Sequence, residues 1–199
     1  MSEEGVNPQR RRLLLATSGL GAVGTVFALT PFVLSMMPSA RAKAAGAPVE
    51  VDISKVEPGQ LLTVEWRGKP VWILRRTPEM LKALTEDEKF LADPKSSVAE
   101  QQPTYAQNTT RSLKPEFLVL VGICTHLGCS PAQRLVAGTA SGLGDDWPGG
   151  FFCPCHGSKF DLAGRVFKNV PAPTNLQVPP YSFISDTRIA IGVDKQGAA

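Results

Sequence analysis

The chain has 199 residues, 43% of them hydrophobic and 20% charged, and a formal net charge of +3 at pH 7. Residues 1–45 carry five Lys/Arg against two Asp/Glu, and the rest of the chain has 16 of each. Because the excess positive charge is confined to the N-terminal segment, a basic surface for nucleic acid is not expected. About 150 residues follow that segment, which is enough for one compact core.

The N-terminal segment is predicted to anchor the chain in a membrane. An uncharged, mostly apolar run extends from Leu13 to Met37. About 20 apolar residues cross ~30 Å of hydrocarbon, so we expect a transmembrane helix over residues 13–37. Arg10, Arg11 and Arg12 come before it, which indicates that residues 1–12 stay in the cytoplasm. These arginines also resemble a twin-arginine export signal, with a plain anchor as the alternative.

An alanine-rich linker is predicted over residues 38–48. It contains Ala40-Arg41-Ala42, a small-residue pattern typical of cleavage sites. The apolar run before it is longer than the ~7–15 residues of an ordinary signal core, so we expect a retained anchor. Prolines and Gly46 oppose a continuous helix, while alanine tolerates both helix and extended chain. The linker is therefore either a passive tether or a hinge, and residues 49–199 form the head.

The head is predicted to consist mostly of β-strands, because short apolar stretches alternate or run between turn residues. Phe117–Val121 is a continuous apolar run and indicates a buried strand. The other expected strands are Val49–Ile53, Leu61–Trp66, Val71–Leu74, Tyr181–Ile184 and Arg188–Val193.

Longer segments interrupt these strands. Apolar residues at helical spacing predict a helix over Glu79–Leu91, started by Thr77-Pro78. The polar stretch 93–114 that follows is expected to be an ordered excursion. Residues 138–150 are interpreted as a surface excursion, and the alternative is a contact patch for a partner subunit.

All four cysteines and both histidines of the chain lie in two short loops, residues 124–129 and 153–158. Scattered structural residues would not segregate in this way, so the loops indicate one metal or disulfide constellation. Thiolates and imidazoles together suit zinc or an iron–sulfur centre. Zinc sites usually draw cysteines from one arm and histidines from the other, whereas each loop here mixes the two. An iron–sulfur cluster with histidine ligands is therefore favoured over zinc.

At these loops the chain resembles the Rieske [2Fe–2S] proteins, in which cysteines and histidines share the cluster. The resemblance implies an all-β head of antiparallel sheets, with a small cluster-binding β subdomain over roughly residues 122–175 and a short helical insertion. It implies a [2Fe–2S] cluster in each subunit and an inter-loop disulfide between Cys129 and Cys155. The implied ligands are Cys124 and Cys153 on one iron and His126 and His156 on the other.

The disulfide pair points to a narrower group, the cytochrome bc-type Rieske subunits. The stretch 76–116 resembles the insertion of bacterial ubiquinol–cytochrome c reductase subunits. This resemblance implies that the chain takes one electron and a proton from quinol, at His156 with His126 beside it, and passes the electron to a c-type cytochrome. It also implies a cytochrome b partner, a dimeric complex, and a periplasmic head on the bacterial inner membrane. The alternative is the Rieske subunit of a periplasmic molybdenum oxidase such as arsenite oxidase.

Several neighbours of the loops add to the resemblance or depart from it. Ser158 matches the family serine whose hydroxyl hydrogen-bonds the cluster, and Leu127 is expected to shield it. Phe160 departs from the pattern, because many relatives carry tyrosine there and phenylalanine cannot donate a hydrogen bond. Pro171-Ala172-Pro173 resembles a family segment that covers the cluster, but Val170 stands where glycine is usual.

Overall fold

The computed structural model of the chain describes residues 7–40, 42 and 46–194. The chain divides into two compact units, Met1–Ala44 and Ala45–Ala199. Residues 1–6 of the expected cytoplasmic segment lie outside the described residues, as do residues 41 and 43–45 of the expected linker.

The first unit contains one long helix, α1 (Pro8–Ser35), of 28 residues. The helix begins at a strong start signal: the Asn7 side chain accepts hydrogen bonds from the amides of Gln9 and Arg10, at 3.0 and 3.4 Å. Pro8 occupies the first helical position, where its missing N–H costs no hydrogen bond. The helix therefore starts before the predicted span 13–37 and includes the three arginines.

The composition of α1 suits a lipid environment. By length and apolarity the helix could cross a membrane. The hydroxyls of Thr17, Thr25 and Thr30 donate to carbonyls one turn back in the same helix, so they need no water. The helix continues through Pro31, although proline removes one backbone donor. An N-terminal apolar helix of this kind fits a single-pass membrane anchor.

The second unit is built on antiparallel sheets, which confirms the predicted all-β head. Among the described residues, its sheets have the strand orders β1-β9-β8, β2-β3-β4 and β5-β6-β7. The short strands β5, β6 and β7 lie in the small β subdomain that the resemblance implied over roughly residues 122–175, but their bounds were not predicted. In chain order the strands are β1 (Val49–Asp52), β2 (Leu61–Trp66), β3 (Lys69–Arg75), β4 (Phe117–Val121), β5 (Ala132–Arg134), β6 (Gly150–Phe152), β7 (Lys159–Phe160), β8 (Tyr181–Ser185) and β9 (Arg188–Ile191).

One hydrophobic core connects the sheets. Every residue of β4 is buried, as the continuous apolar run predicted. Trp72 of β3 stacks on Phe151 of β6 with ring centroids 5.0 Å apart, which packs the second sheet against the third. Gly122, directly after β4, makes this possible, because a Cβ there would clash with the Trp72 indole. The core therefore reaches to the start of the first cysteine–histidine loop.

The predicted helix is shorter than expected. Helix α2 spans Pro78–Glu86, and the Thr77 hydroxyl caps it by accepting a hydrogen bond from the amide of Met80 at 3.3 Å. A single 3₁₀ turn follows, and the chain then pairs with residues 166–168: the amide of Lys168 donates to the carbonyl of Phe90 at 2.8 Å, and that of Ala92 to the carbonyl of Val166 at 2.9 Å. The apolar residues near position 90 thus serve this pairing and do not continue the helix, so the predicted end at Leu91 is wrong.

Buried arginines tie the insertion to the chain after β7. Arg165 and Asp161 are both fully buried and form an ion pair at 2.7 Å. Arg76 and Arg111 donate to the carbonyls of Leu162 and Ala163, each at 3.2 Å. Burial lowers the pKa of both these guanidinium groups to about 10, so they stay protonated at neutral pH. These contacts hold the turn after β7, and with it the end of the second loop, against the rest of the head.

Candidate metal centre

The two cysteine–histidine loops have the same backbone hydrogen bonds. Loop 1 (residues 124–129) lies between β4 and β5, and loop 2 (residues 153–158) lies between β6 and β7. In each loop the amide of the first residue donates to the carbonyl of the sixth at 2.8 Å. The amide of the fifth residue donates back to the carbonyl of the first, at 3.0 Å in loop 1 and 2.9 Å in loop 2. The fifth residues, Gly128 and Gly157, have φ of 83° and 78°, a conformation that favours glycine.

The structure places the predicted ligands in two pairs, one of thiols and one of imidazoles. Cys124 and Cys153 are 3% and 2% exposed, and their side chains interact directly. The rings of His126 and His156 lie with centroids 4.7 Å apart and planes nearly perpendicular, at 88°. His126 is half-buried and His156 is exposed. The thiols therefore lie inside the head, and the imidazoles lie at its edge.

Different neighbours of Cys124 shift the pKa of its thiol in opposite directions. Burial raises the pKa of the Cys124 thiol, and the neighbouring Cys153 also raises it. The backbone amide of His126 and the hydroxyl of Ser158 donate hydrogen bonds to the sulfur and lower the pKa. These donors favour the thiolate, which is the form that binds metal.

The remaining cysteines are joined to each other. Cys129 of loop 1 and Cys155 of loop 2 form a disulfide. The sulfur of Cys153 and those of the disulfide all lie within 4.8 Å of one another. Because Cys129 and Cys155 are oxidised, they offer no thiolate, and the free thiols are those of Cys124 and Cys153. The disulfide also ties the two loops into one unit.

An unpaired nitrogen shows that the site fits a metal group. The Nδ1 atom of His126 is buried and has no hydrogen-bond partner. A buried imidazole nitrogen without a partner is costly unless a ligand completes it. Two thiols and two imidazoles form the donor set of a Rieske cluster. The residues present therefore fit a [2Fe–2S] group.

A segment after the loops contacts both of them. The Ser158 hydroxyl oxygen is buried and accepts a hydrogen bond from the amide of Ala172 at 3.0 Å. The Thr125 hydroxyl donates to the carbonyl of Thr174 at 2.8 Å. Neither the hydrogen bond of Thr125 nor that of the Ala172 amide was predicted. In the sequence, the prolines beside Ala172 were the only indication that this segment contacts the loops.

Two positions that depart from the family pattern are accommodated. Phe160 is fully buried in β7, opposite Phe151 of β6. The left-handed residue near position 170 is Asn169, with φ of 59°, so Val170 does not need the conformational freedom of glycine. Leu127 is 72% exposed next to His126, so loop 1 presents apolar surface to the outside.

Comparison with known proteins identifies the class. The family model of the Rieske [2Fe-2S] domain matches residues 48–181. Together with the β-sheet head and the paired cysteine–histidine loops, this match makes the protein a Rieske iron–sulfur protein with a [2Fe–2S] cluster as its cofactor. A second family model, described as the Ubiquitinol-cytochrome C reductase Fe-S subunit TAT signal, matches residues 1–39.

Relatives of similar length narrow the identification. The chain is 63% identical over 199 residues to the ubiquinol-cytochrome c reductase iron-sulfur subunit of Allochromatium vinosum, covering 100% of this chain and 95% of the relative. It is 45% identical over 188 residues to the subunit of the same name from Bradyrhizobium diazoefficiens, covering 94% and 96%. A solved hyperthermophilic respiratory complex III aligns with a TM-score of 0.49 and 28% identity, over 88% of this chain and 97% of that chain. The chain belongs to the family of ubiquinol–cytochrome c reductase iron–sulfur subunits.

Proposed function

We propose that this chain is the electron-transfer subunit of a bacterial quinol–cytochrome c oxidoreductase. It takes one electron and a proton from quinol and passes the electron to a c-type cytochrome. The observation that carries this function is the 63% identity, along the whole chain, to a ubiquinol-cytochrome c reductase iron-sulfur subunit. One-electron chemistry leaves the second electron of quinol to a partner, and we propose a cytochrome b subunit in a dimeric complex.

The ligand assignment follows the placement of the side chains. Cys124 and Cys153 would hold one iron, and His126 and His156 would hold the other. Support comes from the two buried free thiols and from the buried, unpartnered Nδ1 of His126. A bound [2Fe–2S] cluster supplies one-electron redox chemistry, at a potential that imidazole ligation raises.

The histidines handle the proton. If Nδ1 of each imidazole were to hold the metal group, as the buried and unpartnered Nδ1 of His126 suggests, the outer nitrogen would be left to meet the quinol hydroxyl. His156 is the more exposed of the two, so it accepts the hydrogen bond and then the proton, with His126 at 4.7 Å beside it. The exposed Leu127 gives the quinol an apolar contact next to these rings.

The proposed placement puts residues 1–12 in the cytoplasm, the anchor over 13–37 in the bacterial inner membrane, and the head over 49–199 in the periplasm. The arginines before the apolar run support this orientation. The match of residues 1–39 to an export-signal model supports delivery of the head across the membrane.

Residues 38–48 would act as a hinge that lets the head move between the quinol site and the c-type cytochrome. Replacing Ala42 to Ala45 with prolines restricts the backbone there, so electron transfer to the cytochrome should slow while the spectrum of the cluster stays unchanged. Stopped-flow reduction of the cytochrome measures this rate. Unchanged turnover would show that the segment is a passive tether.

The function itself is tested by EPR of dithionite-reduced membranes that contain the protein, with quinol and a quinol-site inhibitor added in turn. We expect a Rieske signal that shifts with occupancy of the quinol site. A Rieske signal that ignores both additions would contradict the quinol reaction. Loss of the signal, with zinc bound in place of iron, would contradict the cofactor as well.

A further inference from the structure

Residues Pro171–Asn175 form a bridging segment between the two metal-binding loops. Among the described residues, it is the one segment outside the loops and their flanking strands that hydrogen-bonds to both loops. Its Ala172 amide donates to Ser158 of loop 2 at 3.0 Å, and its Thr174 carbonyl accepts from Thr125 of loop 1 at 2.8 Å. Proline on each side of Ala172 fixes φ at both neighbours, so the segment is stiff. Because the segment is stiff, contacts that hold its last residue, Asn175, also hold Ala172 in position.

Asn175 is 1% exposed, and its amide group joins distant parts of the head. Its Oδ1 accepts from the amide of Val166 at 2.8 Å, on the turn after β7. Its Nδ2 donates to the carbonyl of Asp93 at 3.0 Å and to the hydroxyl of Ser96 at 3.3 Å, in the insertion. A side chain with three partners on two other segments fixes the bridging segment in place.

The Ala172 amide controls the direction of the Ser158 hydroxyl. A serine oxygen has two acceptor sites and one hydrogen, and the amide takes one acceptor site. The hydrogen is left to donate, and the sulfur of Cys124 is within its reach. A hydrogen bond to sulfur favours the state with more negative charge, which for an iron–sulfur site is the reduced state.

We propose that Asn175 is a positioning residue for the redox potential, which acts through the Ala172 amide on the donor direction of the Ser158 hydroxyl. This inference rests on the proposed ligand assignment, because it treats Cys124 as a ligand. Asn175 touches neither quinol nor the metal group in this scheme. Its effect travels along the stiff segment to Ala172 and then through two hydrogen bonds, one from the Ala172 amide to Ser158 and one from Ser158 to the sulfur of Cys124.

A double-mutant cycle on the full-length holoprotein tests the inference, with the midpoint potential measured by EPR-monitored redox titration. Asn175→Ala should lower the potential in the wild-type background. In the Ser158→Ala background, where the hydroxyl is gone, Asn175→Ala should lower it no further. Ser141→Ala is the matched control, since the buried Ser141 hydroxyl donates to the carbonyl of Gly138 and accepts from the amide of Leu143, both in the excursion 138–150; its potential should equal that of wild type.

The outcomes separate this inference from the function. An equal lowering in both backgrounds, or no lowering in either, would overturn the role of Asn175 while a Rieske signal still supports the cofactor. If Asn175→Ala does not fold, Ser96→Gly replaces it in the cycle, because it removes one partner of Asn175 and suits the φ of 51° at that position. Amide hydrogen exchange adds a second readout: the Ala172 amide should be protected in wild type, and rapid exchange there would contradict the hydrogen bond to Ser158.

Discussion

Phe160 lies two residues after Ser158, on the strand that leads out of loop 2. It is fully buried and pairs across the sheet with Phe151. The family resemblance implies tyrosine at this position, whose phenolic hydroxyl could donate to sulfur, and phenylalanine has no such donor. If Ser158 donates to the bound cluster as proposed, it does so here without that second donor, which would leave the reduced state less stabilised.

The substitution Phe160→Tyr should raise the midpoint potential by some tens of millivolts. A hydrogen bond to a charged acceptor is worth about 1.5–3 kcal/mol, and ~1.4 kcal/mol corresponds to ~59 mV for one electron. Only the difference between the two redox states counts, so the shift is a fraction of the full value. Protein-film voltammetry measures it. Phe151→Tyr, which adds a hydroxyl at the buried cross-strand partner, is the control and should leave the potential unchanged. If Phe160→Tyr does not raise the potential, the missing hydrogen-bond donor at position 160 does not affect it.

At the scale of elements, helix α2 ends at a carboxyl group with an unfavourable environment. Asp87 follows the last residue of α2 and makes no capping hydrogen bond with its side chain. Burial raises its pKa to about 6; the neighbouring Asp161 and Glu86 also raise it, while Arg165 and Lys89 lower it. Above that pH the Asp87 carboxylate is therefore charged in the folded head, which lowers the stability of the fold.

We expect Asp87→Asn to stabilise the head at neutral pH. The pKa in the folded state is above the unfolded value of ~3.9, so the folded state binds the proton more tightly and wild type loses stability as pH rises from about 4 to about 6. Asparagine removes this loss. Asp87 is 7% exposed, but the nearby charges of Arg165 and Lys89 offset part of the cost, so the gain is about 1 kcal/mol, or about 2–4 °C in Tm.

Thermal unfolding of the detergent-solubilised holoprotein near pH 8 and near pH 4 checks this sign. The gain should be present at the higher pH and vanish at the lower one. Asp145→Asn, at an exposed position of the groove that Asp87 also lines, serves as the control and should change Tm at neither pH. A gain of equal size at both pH values would mean that the charge is not its cause.

The elements also show which parts of the fold could be predicted from sequence. Strand β4 was predictable because burial on both faces leaves a continuous apolar run. Strands β5–β7 were not, because they are two or three residues long and Gln133 and Arg134 face solvent. Their pairing depends on contacts across the fold, such as the stack of Trp72 on Phe151. The apolar pattern of a two- or three-residue segment does not indicate such contacts.

The same distinction applies to the site. The cysteines and histidines were predictable as a group because all of them fall in two loops. Asn175 was not, because its partner Asp93 is 82 residues away and an asparagine beside prolines is typical of any turn. The buried Arg76, Arg111 and Arg165 were equally hidden, since arginine is mostly exposed and only the fold shows where each guanidinium finds its acceptors.

At the scale of the whole molecule, charge and apolarity divide the chain into an anchor and a head with different tasks. The net positive charge is carried by residues 1–45, and the rest is balanced. Within the anchor, Arg10, Arg11 and Arg12 occupy the first turns of α1, before its apolar length. These arginines have two separable properties: positive charge, which would set the orientation, and the guanidinium group, which a twin-arginine export receptor would recognise.

Replacing Arg10, Arg11 and Arg12 together with lysine separates these properties. Lysine keeps the charge, so the preference for a cytoplasmic N-terminus is retained, but the guanidinium groups of a twin-arginine signal are lost. We expect the head to remain on the cytoplasmic side, where protease added to spheroplasts cannot reach it. Arg41→Lys, after the apolar run, should export normally. If the triple variant still delivers a protease-accessible head, a plain anchor inserts this chain, and the arginines act through charge alone.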